Sequence, residues 1–189
     1  PRAGKSIDWT GATGTPAWAK TTATSIYGSV TMISGMTNSG TSLITMEARS
    51  SHTWTSGGQT ISNPITLSMI GGTLTMQDAF SMTGSGLNFN HRDGTLNFNN
   101  FSASLNTYIQ PNSNTKTLTL GNGTITITSN GISGTVWIVN SSSTLSATTG
   151  TIKYTDTTNN ALEFDGGGKT YGNLWFSRGA STGSITISG

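Results

Sequence analysis

Short alternations of apolar and polar residues follow one another along the chain, punctuated by glycine. The first clear case is Tyr27-Gly28-Ser29-Val30-Thr31-Met32-Ile33, and its pattern of glycine, Ser or Thr, apolar, any residue, apolar recurs at Gly72, Gly94, Gly123, Gly134, Gly150 and Gly183. In such a unit the glycine supplies a turn that can take positive φ, and the two apolar residues, two positions apart, point to one side of a short strand. Several of the intervals between these glycines are multiples of 11, which suits coils of about 20 to 25 residues carrying two or three strands each. The intervals of 29 and 16 then require loop insertions or deletions. No stretch of a dozen residues has helical periodicity.

A longer self-similarity lies over these units. Gly57-Gly58-Gln59-Thr60-Ile61-Ser62-Asn63 returns 110 positions later as Gly167-Gly168-Lys169-Thr170-Tyr171-Gly172-Asn173, with Thr53-Trp54 lying where Glu163-Phe164 lies. Gly57, Gly58, Asn63, Gly167, Gly168 and Asn173 are therefore read as repeat turns. The expected architecture is all-β: a parallel β-solenoid resembling a right-handed β-helix, with a lead-in over 1–20, a repeat region over 21–166 and a second copy beginning at 167–189. Trp9 and Trp18 would pin the lead-in to the first layer. The alternative is a tandem pair of antiparallel β-sandwiches, since strands come about every ten residues.

Composition narrows the classes. Thr, Ser, Gly and Asn make up 103 of 189 residues, and charged residues only 8%. Disorder normally comes with high net charge and few β-branched residues, and here both conditions are reversed. The net charge of +2 is spread over nine scattered basic residues, which gives no nucleic-acid footprint. Absence of Cys excludes disulfides and thiolate metal sites. No apolar run reaches the ~18 residues of a membrane span, and Pro1-Arg2-Ala3-Gly4-Lys5 lacks the apolar core of a signal peptide. Because residue 1 is Pro, the chain is expected to be processed or part of something longer. The Met residues at 32, 46 and 76 fall on apolar strand positions and read as core filling.

Several local patterns carry potential chemistry. Gly166-Gly167-Gly168-Lys169-Thr170 ends like a phosphate-binding loop, but Glu163 stands where its first glycine should be, no helix follows, and the sister copy has Gln59 in place of Lys169; Gly4-Lys5-Ser6 fails similarly. His91-Arg92-Asp93-Gly94 is the densest polar cluster and could hold an acid/base pair, or form a charged turn before a strand. Glu163 and Asp165 lie two apart on one strand face, where a cation could bind, yet the sister copy offers Thr53 and Thr55. No catalytic residue, cofactor site or metal site is therefore assigned. Asn88, Asn90, Asn97, Asn99 and Asn100, around two segments nine apart, could stack as side-chain ladders or serve ordinary turns.

Two surface readings remain. Strand parity puts Trp137 opposite Val136 and Ile138, and Trp175 opposite Leu174 and Phe176, so both indoles would face outward for glycan or subunit contact. Burial on both faces is the competing reading, because both lie in continuous apolar runs. Thr-x-Thr triplets at 73–75, 117–119 and 124–126 would suit a flat face that orders water, with outward Trp137 and Lys153 interrupting such an array.

Gly-Gly-x-Thr-x-x-Asn at 57–63 and 167–173, the segment Gly71-Gly72-Thr73-Leu74-Thr75-Met76-Gln77-Asp78, and Thr117-Leu118-Thr119-Leu120-Gly121 together resemble tandem repeat segments of tailed-phage fibres and large bacterial surface adhesins. The resemblance runs from about Asp8 onward. It implies a non-enzymatic structural segment of an extracellular fibre on a virion, foremost a phage tail fibre, whose partners are identical or related chains and a host glycan or receptor. The rival expectations are a bacterial adhesin or surface-filament subunit and a β-helical carbohydrate-active enzyme.

Overall fold

The computed structural model describes residues 5–147 and 149–189; residues 1–4 of the lead-in, with Gly4, lie outside the described residues. It is all-β, without a helix among the described residues, and forms a parallel β-solenoid of about eight turns. The first turns carry β1 (Ile7–Asp8), β2 (Ala17–Ala19), β3 (Thr24–Ile26), β4 (Val30–Thr31), β5 (Thr37–Ser39), β6 (Ile44–Met46) and β7 (His52–Thr55). The middle turns carry β8 (Ile65–Met76), β9 (Phe80–Met82), β10 (Asn88–Asn97), β11 (Ala103–Leu105), β12 (Thr107–Ile109), β13 (Lys116–Thr119) and β14 (Thr124–Ile127). The last are β15 (Gly134–Ile138), β16 (Thr144–Ser146), β17 (Thr151–Tyr154), β18 (Leu162–Asp165), β19 (Asn173–Phe176) and β20 (Ile185–Ser188). Among the described residues every strand pairing is parallel, which overturns the antiparallel-sandwich alternative.

Three faces emerge from these pairings. The first stacks β1, β4, β7, the C-terminal half of β8, the C-terminal half of β10, β13 and β16. The second stacks β3, β6, the N-terminal halves of β8 and β10, β12, β15, β18 and β20. The third runs from β2 and β5, through a bridge between Thr60 and Ser81, to β9, β11, β14, β17 and β19. β8 and β10 belong to two faces because they bend round the corner as single strands, at Gly71 (φ +72°) and Gly94 (φ +83°). A side chain at Gly94 would also collide with the Met69 carbonyl, so glycine is required there on two grounds.

The first face is the regular one. Thr53, Thr75, Asn97 and Thr119 are successive partners 22 residues apart, and Ser146 follows after 27. The ranks Thr73-Leu74-Thr75, Thr95-Leu96-Asn97, Thr117-Leu118-Thr119 and Thr144-Leu145-Ser146 lie one above another, leucines inward and polar residues outward. Behind the second face a column of aromatics fills the interior. Phe89, Tyr108, Trp137 and Phe164 are direct register partners, with successive ring centroids 6.1, 4.7 and 6.1 Å apart. All six methionines are buried in the core. At ~4.8 Å per turn, the stack is about 40 Å long.

The lead-in joins this stack as its first turn: β1 pairs with β4, and Trp9 packs on Trp18 at 5.1 Å. Residues 167–189 add a further turn to the same stack, with β19 on β17 and β20 on β18. The two copies of the seven-residue motif occupy different corners. Gly57 follows a first-face strand and lies against Met32 and Ile33, whereas Gly167 follows a second-face strand and lies against Val139 and Asn140. What recurs is the chemistry of one kind of turn rather than a 110-residue structural period.

Candidate functional site

The shared motif builds the same turn twice. Gly57 and Gly58 have φ of +58° and +76°, and Gly167 and Gly168 have +61° and +66°. Gln59 Nε2 donates to the Ile33 and Ser34 carbonyls of the turn below, and Lys169 Nζ donates to the Ser141 carbonyl at 2.7 Å. Lys169 thus does what its amide counterpart does, tying one coil to the next. The shared Asn differs: Asn63 is buried and donates to the Ser42 carbonyl, while Asn173 is exposed at the start of β19.

The His91–Gly94 cluster comes apart on folding. His91 points into the core, where Nε2 lies 3.0 Å from the Gly94 carbonyl and Nδ1 2.7 Å from the Tyr108 hydroxyl. A carbonyl only accepts, so Nε2 carries the hydrogen and Nδ1 accepts from Tyr108. The Tyr108 oxygen accepts from Gln110 Nε2, and Gln110 Oε1 accepts from the Asn140 amide and the Ser143 hydroxyl. Burial, reinforced by the Lys116 charge, lowers the His91 pKa to about 4 against the pull of the Gly94 hydrogen bond and Asp93. Asp93 instead lies at the surface corner, accepting from Ser68 Oγ at 3.2 Å and Asn114 Nδ2 at 2.7 Å. The sequence signal for this separation is parity: Phe89 and His91 share the inward face.

Glu163, Asp165 and Asp156 have protein partners. Glu163 accepts from Thr135 Oγ1 at 2.5 Å and Ser188 Oγ at 2.7 Å, and these bonds, Thr135 first, lower its pKa. Asp165 accepts from the Gly167 amide. Asp156 forms a buried ion pair with Arg178. Among the described residues no group of three or more His, Asp or Glu is placed to hold a metal ion, and no helix is long and apolar enough to cross a membrane.

The two tryptophans separate. Trp137 is fully buried, and its assignment to an outward contact is corrected. A register shift between Thr135 and Trp137 leaves Val136 as an extra residue, so both Val136 and Trp137 turn inward and parity is broken. Trp137 joins the aromatic column, and its Nε1 donates to the Tyr171 hydroxyl at 3.2 Å. Trp175 lies outward on the third face, 55% exposed, with Lys153 Nζ 4.0 Å from its ring centroid. It ends a column of outward partners formed by Ser81, Ser104, Thr126 and Lys153.

The Thr-x-Thr triplets divide between two faces: 73–75 and 117–119 stack on the first, clear of Lys153 and the buried Trp137, whereas 124–126 lies on the third, where Lys153 is the partner of Thr126 and interrupts the column. The first face is interrupted by the loop between β12 and β13, whose Ser113, Asn114 and Thr115 stand beside Thr95 and Thr117 and make it grooved. The Asn residues divide: Asn88, Asn90 and Asn97 lie in β10, while Asn99 and Asn100 form a turn with positive φ, and Asn100 Oδ1 accepts from the Asn122 amide one coil on. No family model matches the chain, and neither a curated protein nor a solved structure does.

Proposed function

We propose that this chain is a structural segment of an extracellular fibre, foremost a phage tail fibre or other virion appendage, with a spanning rather than a catalytic role. The observation that carries this reading is the continuous interior: the leucine ranks and the aromatic column run through successive turns, so each turn is held only by its neighbours. Such a stack gains length by repetition, and its parallel hydrogen-bond ladders resist unfolding outside a cell.

Trp175 supports a secondary role. An exposed indole beside a lysine at the end of a hydroxyl-lined column is suited to stacking on a sugar ring or to meeting another copy of the chain. Electron microscopy of the purified chain, combined with a depolymerisation assay on host-surface polysaccharides, tests the reading. Rods that associate into longer or bundled particles and release no new reducing ends are the expected result; specific polysaccharide cleavage would replace the structural role with the enzymatic one.

A further inference from the structure

A concavity with a volume of about 640 Å³ lies at the corner between the first and second faces. That volume lies within the ~300–1,000 Å³ of small-molecule sites. Its origin is a difference in corner length. β8 and β10 turn this corner as unbroken strands, whereas the next coil has a longer connection between β12 and β13, from which Ser113, Asn114 and Thr115 stand out as a wall. Ile70 and Gly72 form the opposite side, and Thr95 and Thr117 lie between.

This wall is fixed from within. Lys116 is buried, and its ammonium donates to the Asn112 carbonyl at 2.6 Å, Asn112 Oδ1 at 2.8 Å and the Asn114 carbonyl at 2.8 Å, which uses all three of its hydrogens. Ser142 Oγ donates to the Ser113 carbonyl from the next turn, and Asn114 Nδ2 donates to Asp93. Holding the loop this way before any ligand arrives reduces the ordering cost of binding.

We infer that this groove is a binding site for a neutral oligosaccharide, with Asp93 and Asn114 receiving vicinal hydroxyl groups, Thr95 and Thr117 completing the polar surface, and Ile70 packing on a C–H face of a sugar ring. Each Asp93 oxygen has spare lone pairs after its bond to Ser68 or Asn114, and Ile70 is 54% exposed on the rim. Asp93 disfavours an anionic ligand, and Lys116 has no free hydrogen with which to attract one. The groove is separate from Trp175, which lies on the third face, and its binding does not depend on where the chain is displayed.

The test is binding of the full chain to an array of neutral and acidic oligosaccharides, with hits titrated by calorimetry. Wild-type binding to neutral members is expected to weaken at least tenfold in Asp93→Ala and in Thr117→Trp and to persist in Trp175→Ala. Thr117 points outward, so Thr117→Trp fills the groove without entering the core and decides the matter even if Asp93→Ala fails to fold. Failure to bind any neutral member, binding confined to acidic ones, binding unchanged by Thr117→Trp, or loss only in Trp175→Ala would each overturn the assignment. None of these outcomes bears on whether the chain is a fibre segment.

Discussion

Arg178 reaches back one turn of the coil to Asp156, with Nη2 2.9 Å from Oδ2, and both side chains are buried. The same guanidinium donates to the carbonyls of Thr158, Asn160, Gly183 and Ser184, so a single planar group joins the corners of two consecutive turns. Removing one partner of a buried pair strands the other charge, at about 3–5 kcal/mol. Arg178→Ala is expected to lower stability by that amount in urea denaturation. Arg178→Lys should recover little, because an ammonium cannot span that set of acceptors.

The paired glycines of the repeated turn are unequal. A Cβ on Gly167 would sit 1.9 Å from the Val139 carbonyl oxygen, whereas one on Gly168 would meet nothing within 4 Å. Both residues have positive φ, which costs an L-residue roughly 1–2 kcal/mol. Gly168→Ala should therefore lose about that much in thermal melting. Gly167→Ala should lose clearly more, since backbone must also move; equal losses would show that the close packing of that corner is not tight.

His91 links stability to acid. Its pKa falls from 6.5 to about 4 on folding, chiefly through burial, with Asp93, Lys116 and Tyr108 around it. Below pH 6.5 the unfolded chain binds a proton that the folded chain refuses, so this contribution is present above pH 6.5 and is lost as pH falls toward 4. The loss is at most roughly 3 kcal/mol. Stability measured between pH 7 and 4 should decline more steeply in the wild type than in His91→Phe, and parallel curves would show that His91 is not held neutral.

Trp137 and Trp175 should respond oppositely to truncation. Trp137→Ala empties part of the aromatic column and is expected to cost about 3–5 kcal/mol. Trp175→Ala removes an exposed ring and one contact with Lys153, so its effect on chemical denaturation should stay under about 1 kcal/mol.

The difference between these residues marks what was legible in the sequence. Inward and outward positions in ranks such as Thr117-Leu118-Thr119 follow from parity, and parity holds wherever the ladder is unbroken. Trp137 escaped it because a bulge at Val136 is a property of pairing with β18, two strands that lie 27 positions apart. The parallel solenoid was readable from short strands and glycine turns. Assignment of each strand to a face was not, because the second-face step is 19 residues from Phe89 to Tyr108 and 29 from Tyr108 to Trp137. The bond between His91 and Tyr108, and the groove walled by Ser113, Asn114 and Thr115, depend on those unequal corner lengths. The corner that receives each copy of the Gly-Gly-x-Thr-x-x-Asn turn depends on them as well.

The claim that the chain is a segment of a virion fibre is tested most directly by immunogold electron microscopy, with antibodies against the purified chain applied to particles and to cells from its source. Gold at regular positions along a fibre projecting from the particle is the predicted result. Label on the bacterial surface with bare particles, or label confined to the cell interior, would contradict it.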